Sequence, residues 1–85
     1  MTYTVLFKPS AKAALAKLPR PIQARLIEAA DALARQPRPP GCVKLAGMEA
    51  WRIRVASYRI VYEIHDDVLV VLVLRVADRK DVYRW

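Results

Sequence analysis

The stretch that most constrains this chain is residues 50–85, AWRIRVASYRIVYEIHDDVLVVLVLRVADRKDVYRW. From Trp51 to Ile64 apolar and polar residues alternate with period two, the signature of strands whose side chains go to opposite faces in turn. Trp51, Ile53 and Val55 are expected to face a core, and Arg52 and Arg54 to face away from it. Ser57 marks a turn, after which Tyr58, Ile60, Tyr62 and Ile64 oppose Arg59, Val61 and Glu63. His65-Asp66-Asp67 makes a hairpin turn into Val68 to Val76, a run apolar on both faces. Such a run suits a central strand covered by helices on one side and at least partly on the other.

The upstream residues supply that cover. Thr2 to Lys8 places Tyr3, Val5 and Phe7 on one side, as in a first strand, which Pro9 is expected to end. Ser10 is a candidate N-cap for AKAALAKL, where Ala11, Ala14, Leu15 and Leu18 share a helical face. Leu18-Pro19-Arg20-Pro21 breaks this helix, and Pro21 suits the first position of a second one. There Ile22, Leu26, Ala29, Ala30 and Leu33 form an apolar stripe against Gln23, Arg25, Glu28 and Arg35. Two short helices joined by a proline turn need a sheet to pack on. Gln36-Pro37-Arg38-Pro39-Pro40-Gly41 then carries the chain across the sheet edge to Val43-Lys44-Leu45.

Eighty-five residues with a hydrophobic fraction of 55% are expected to make one folded domain, residues 1–85. The formal net charge of +7 favours a nucleic acid or an acidic protein as partner. Charge alone does not locate the site: residues 1–40 hold seven Lys or Arg against two acids, and residues 41–85 hold eight against six. Arrangement does, because the C-terminal arginines recur at strand spacing. One cysteine, Cys42, excludes an internal disulfide, and no Cys/His set for zinc exists. The longest apolar run, Val68 to Leu74, is far shorter than the roughly 20 residues of a membrane helix. With no signal-peptide pattern, a cytoplasmic protein without a membrane partner is expected.

The strand-helix-helix-strand order, the segments KLAGMEAWRIRV and SYRIVYEI, and the terminal LRVADRKDVYRW together resemble the RelE/ParE superfamily of toxins from prokaryotic toxin–antitoxin pairs, most closely its RelE-like branch. The resemblance spans essentially the whole chain. It implies an α+β fold: an N-terminal strand, a helical hairpin, then an antiparallel β-meander, forming a mixed sheet with the helices packed on one face. It also implies a ribosome-dependent, metal-independent endoribonuclease that cleaves mRNA in the A site by 2′-OH attack. Contacts to 16S rRNA and a RelB-like antitoxin in a toxin–antitoxin hetero-oligomer follow from the same resemblance, with no cofactor. A ParE-like inhibitor of DNA gyrase, or a non-catalytic member that only holds antitoxin or RNA, are the alternatives within the same fold.

Carried over by position, Arg52 and Arg54 match the two basic residues of the family's first strand after the loop, and Arg59 matches the arginine after the turn. Arg79 matches the arginine of the tail and Tyr83 the tyrosine that seats the nucleotide. Lys44, Lys80 and Arg84 join them as RNA-binding candidates. Arginine offers a planar fork for phosphate oxygens, and a tyrosine ring can stack on an unpaired base. Where the best-known RelE enzyme has lysines this chain has arginines, which are poor proton acceptors, and Asp78 stands where many relatives carry histidine. Plainer readings stand beside these. Arg52 and Arg54 also suit a solvated face, Arg59 a pair with Glu63, Arg75 a structural role, Tyr58 and Tyr62 the core, and His65 a solvated turn.

Overall fold

Proline sets both helix starts in the computed structural model, which describes residues 2–78. After β1 (Thr4–Phe7), Pro9 opens α1 (Pro9–Ala16) instead of merely ending the strand. Its fixed φ fits the first turn, where a missing N–H costs no hydrogen bond. Lys8 is therefore the N-cap, without a side-chain cap, and Ser10 lies inside the first turn. In α2 (Arg20–Ala32) the same logic holds, with Pro19 as N-cap and Pro21 in the first turn. Gln23, expected on the polar face, donates through Nε2 to the Leu18 carbonyl at 2.6 Å and so closes the turn between the helices.

β2 (Val43–Lys44), β3 (Trp51–Val55), β4 (Tyr58–His65) and β5 (Val70–Asp78) complete the chain as described. The sheet order is β1-β5-β4-β3-β2. β1 runs parallel to β5, and every other pair is antiparallel, so the sheet is mixed and the helical hairpin is the crossover. Both helices lie on one face, where Leu26, Ala30 and Leu33 of the α2 segment meet Ile60, Tyr62, Val71 and Val73, all essentially inaccessible to solvent. This is the α+β architecture anticipated above. A second, smaller cluster sits on the other face: Ala50 and Val61 are buried beneath Leu45, Met48, Leu74 and Ala77.

The proline-rich connector straps the helix side of the sheet edge. The Tyr62 hydroxyl donates to the Pro37 carbonyl at 2.7 Å. Burial, and then the neighbouring Cys42, push the phenol's pKa upward, so it remains a donor. Next to it Arg38 lies 5.3 Å from the centroid of the Trp51 ring and binds Asp66 at 3.0 Å through Nη2. The Tyr3 hydroxyl also donates to Asp66. One carboxylate in the β4–β5 turn thus ties β1, the connector and β3 together. The Arg38 hydrogen bond, and then that from Tyr3, hold the Asp66 carboxyl below its ordinary 3.8.

Two turns carry positive φ without glycine. Ala56, in the two-residue turn between β3 and β4, has φ 54°, and Leu69 has φ 54°. The four-residue turn Asp66–Leu69 delays β5 to Val70, two residues later than the apolar run begins, and leaves Val68 63% exposed.

Two outcomes are expected. A depressed carboxyl pKa in the folded state stabilises above the unfolded value and stops doing so as pH falls through the folded value. The thermal midpoint of Asp66→Asn should therefore lie below wild type near neutrality and converge on it once the pH is well under 3.8, and an unchanging gap in a melting series would contradict this. Ala56→Gly should raise stability by about 1 kcal/mol, because an alanine in the left-handed region carries a steric cost that glycine lacks. For a domain of this size that is roughly 4–8 °C in the melting temperature.

Candidate nucleic-acid interface

The register of the sheet decides which basic side chains meet. Arg54 of β3 stands directly opposite Arg59 of β4, and Arg59 stands opposite Ala77 of β5. One step along, Arg52 faces Val61, and Val61 faces Arg75. Directly opposed residues share a face, so Arg52, Arg54, Arg59 and Arg75 all lie on the sheet face away from the helices. With strands about 4.8 Å apart, the set spans roughly 10 Å from β3 to β5. Arg54 is exposed, Arg52 and Arg75 are half-buried, and Arg59, at the centre, is only 4% exposed.

Arg75 reaches this face through an irregularity. The β4–β5 ladder shifts register between Val61 and Tyr62: Tyr62 pairs with Val73 and Val61 with Arg75, leaving Leu74 as an extra residue on β5. A bulge of this kind reverses the alternation beyond it. Val71 and Val73 face the helices, but so then does Val76, while Leu74 joins the small cluster on the other side. The sequence holds the signal, since Arg75 has the same parity as Val71 and Val73. A regular strand would drive its guanidinium into the core.

The apolar loop between β2 and β3 forms a wall beside these arginines. It is closed by hydrogen bonds from Leu45 N–H to Ala50 O (2.9 Å) and Met48 N–H to Leu45 O (3.3 Å), with Gly47 at φ 74°. Lys44 lies elsewhere. Its register partner is Trp51, so it belongs to the helix-facing side, and its Nζ is 3.4 Å from Glu49. Glu63, considered above as a partner for Arg59, instead contacts His65 at 2.9 Å. Both share the arginine face but lie toward its far end, His65 six residues from Arg59 and hence about 20 Å along the strand. Asp78 opposes Tyr58, on the helix-facing side. Arg79, Lys80, Tyr83 and Arg84 lie outside the described residues. Among those residues no group of His, Cys, Asp and Glu has the makings of a metal site, and no helix is long and apolar enough to cross a membrane.

A mixed sheet closed on one face by a helical hairpin, with arginines gathered on the other face, is the architecture of a small α+β toxin fold. The chain belongs to the ParE toxin family of type II toxin–antitoxin systems, whose family model, described for the parDE toxin, matches residues 5–83. It is 40% identical over 88 residues to Toxin RelG of Mycobacterium tuberculosis, covering 99% of each chain. Among solved structures, it resembles the toxin of the RelBE2 toxin–antitoxin complex from the same organism, at 34% identity and a TM-score of 0.84, covering 93% of this chain and 100% of that one. It also resembles a chain of the archaeal RelE–RelB complex of Pyrococcus horikoshii, at 29% identity and TM-score 0.82, over 93% and 97% of the two chains. The membership expected from the sequence, in the RelE/ParE superfamily, is borne out.

Arginines placed directly across a strand pair repel each other. Arg54→Thr removes one member and substitutes a good strand former, so it should stabilise the fold by about 0.2–1 kcal/mol. The gain, read from thermal unfolding, should shrink as added salt screens the pair, and a loss of stability at low salt would show that the repulsion is already neutralised in the fold.

Proposed function

We propose that this chain is the toxin of a type II toxin–antitoxin pair and acts as a ribosome-dependent mRNA interferase, cleaving the message in the A site without a metal. The observation that carries this reading is the gathering of Arg52, Arg54, Arg59 and Arg75 on one sheet face, with Arg54 set against Arg59. Guanidinium forks gathered at this spacing suit the oxygens of a bound phosphodiester.

In the proposed reaction the 2′-OH attacks the adjacent phosphorus, its proton passes to a base, and the 5′-oxygen leaves with a proton. Arg52, Arg54 and Arg59 would stabilise the charge that builds on the phosphorane, with Arg79 joining them and Tyr83 stacking on a base. Arginine keeps its proton near neutral pH, so these residues act electrostatically, and solvent or the ribosome takes the 2′-OH proton. Lys80 and Arg84 would add phosphate contacts around this centre, whereas Lys44, on the opposite face, would not.

The mycobacterial and archaeal relatives were each solved in a toxin–antitoxin or RelE–RelB complex. By extension we infer a RelB-like antitoxin for this chain, wrapping it as an extended segment that folds on binding and screens the arginine face. A second reading has support in the family description, which names ParE, and in the lack of an obvious proton acceptor beside the arginines among the described residues: inhibition of DNA gyrase by the same cationic scaffold.

A purified translation system programmed with a defined mRNA separates the two. Wild-type protein is expected to cut the message at A-site codons, and Arg59→Ala to lower single-turnover cleavage by about 10²-fold or more, the scale for losing one donor to a developing anion. Intact mRNA together with arrested gyrase supercoiling would replace this reading with the second.

A further inference from the structure

We propose that Arg75 is a further RNA-contacting residue of the arginine face, delivered there by the β5 bulge at Leu74, and that it extends the face to hold a phosphate next to the scissile one. The inference rests on the RNA reading given above. Position is its first support. Arg75 is the register partner of Val61, which is in turn the partner of Arg52, so the two arginines flank one buried valine on the same side of the sheet. It is also diagonal to Arg59, whose direct partner on β5 is the small Ala77.

Its second support is access. β1 ends at Phe7, paired with Val73, so beyond that point the outer edge of β5 has no neighbouring strand among the described residues. A cleft of about 640 Å³ runs along this edge between α1 and β5, and its charged lining residues are Lys8, Lys17 and Arg75 against one acid, Asp78. The cationic surface therefore continues from β3 across β4 to β5 and turns the corner toward α1. Arg52 and Arg75, roughly 10 Å apart at the backbone, stand farther apart than the width of one phosphate group. A strand of RNA crossing the sheet would meet Arg52, Arg54 and Arg59 at one phosphodiester and Arg75 at the next.

The bulge also has a chemical consequence. A regular β5 would need an apolar residue at position 75, and that solution would simplify the core at the expense of the fourth cation. With the bulge, the chain keeps an arginine in a strand that is otherwise apolar from Val68 to Leu74. Arg75 acts by holding the substrate and takes no part in proton transfer, since its guanidinium stays charged.

The test measures binding of a short fluorescein-labelled oligouridine by anisotropy across a salt series, for wild type, Arg75→Gln, Arg75→Lys and Arg52→Gln. Each phosphate contact in a single-stranded complex contributes about 0.7 to the slope of log K against log salt. Arg75→Gln should weaken binding and flatten the slope by about that amount, as Arg52→Gln does, while Arg75→Lys keeps the slope. A wild-type slope in Arg75→Gln, with Arg52→Gln flattened, overturns this proposal and leaves the RNA reading standing. A lowered melting temperature with an unchanged slope overturns it too, as a structural role would. No RNA binding by wild type, together with an uncut message in the translation assay, removes both.

Discussion

The ladder between β4 and β5 is the constraint on which the rest of the molecule depends. β5 is central, paired in parallel with β1 and antiparallel with β4, and Val71, Val73 and Val76 from it, with Ile60 and Tyr62 from β4, form the floor on which both helices pack. A strand covered on both faces has few places for a charge. Arg75 lies within it, and a guanidinium turned under α1 would be removed from water at a cost that no local contact offsets. The register shift at Val61/Tyr62 resolves the conflict by reversing the alternation after Leu74. The same step returns Val76 to the helix side, leaves Leu74 in the small cluster over Val61, and puts Arg75 beside Arg52 and Arg59.

Most of the architecture was legible because period two and the helical stripe are strong signals. The face of every residue in β3 and β4 followed from alternation alone, as did the stripe of α2. What was not legible has identifiable causes. Pro9 suits both a strand end and a helix start, and only the tertiary path decides between them. Arg38 and Asp66 are far apart in sequence, and nothing local marks them as partners; their pairing exists because the connector crosses the edge where the β4–β5 turn ends. Lys44 looked like part of the basic surface, but its face is set by the two-residue register of β2 against β3, which composition does not encode. For Arg75 the parity conflict was present in the sequence, and treating the strand as regular concealed it.

The two faces of the sheet divide the work. On the helix side, burial of Leu26, Leu33, Ile60, Tyr62 and the β5 valines supplies the driving force for folding, and the Tyr3–Asp66–Arg38–Trp51 group fixes the edge. The other side has only the cluster around Val61, just enough to bury the sheet's centre and hold the loop from Leu45 to Ala50 as a wall. Placing the cations on strands instead of on that loop has a mechanical consequence. Arg52 and Arg59 are held by backbone ladders on both sides and Arg54 and Arg75 by a ladder on one, so the backbone that carries the charges is a fixed array.

Arginine rather than lysine at positions 52, 54 and 59 fits that array. A lysine beside other cations lowers its pKa and can shed its proton, which makes it a proton acceptor but a weaker fixed charge. An arginine in the same crowd keeps its charge and offers a planar donor set, so the proximity of Arg54 to Arg59 concentrates positive potential instead of dissipating it. In the proposed reaction such a site would stabilise an anionic transition state more than a neutral ground state, through pre-set electrostatics. The same concentration of positive charge favours a partner that brings negative charge to this face.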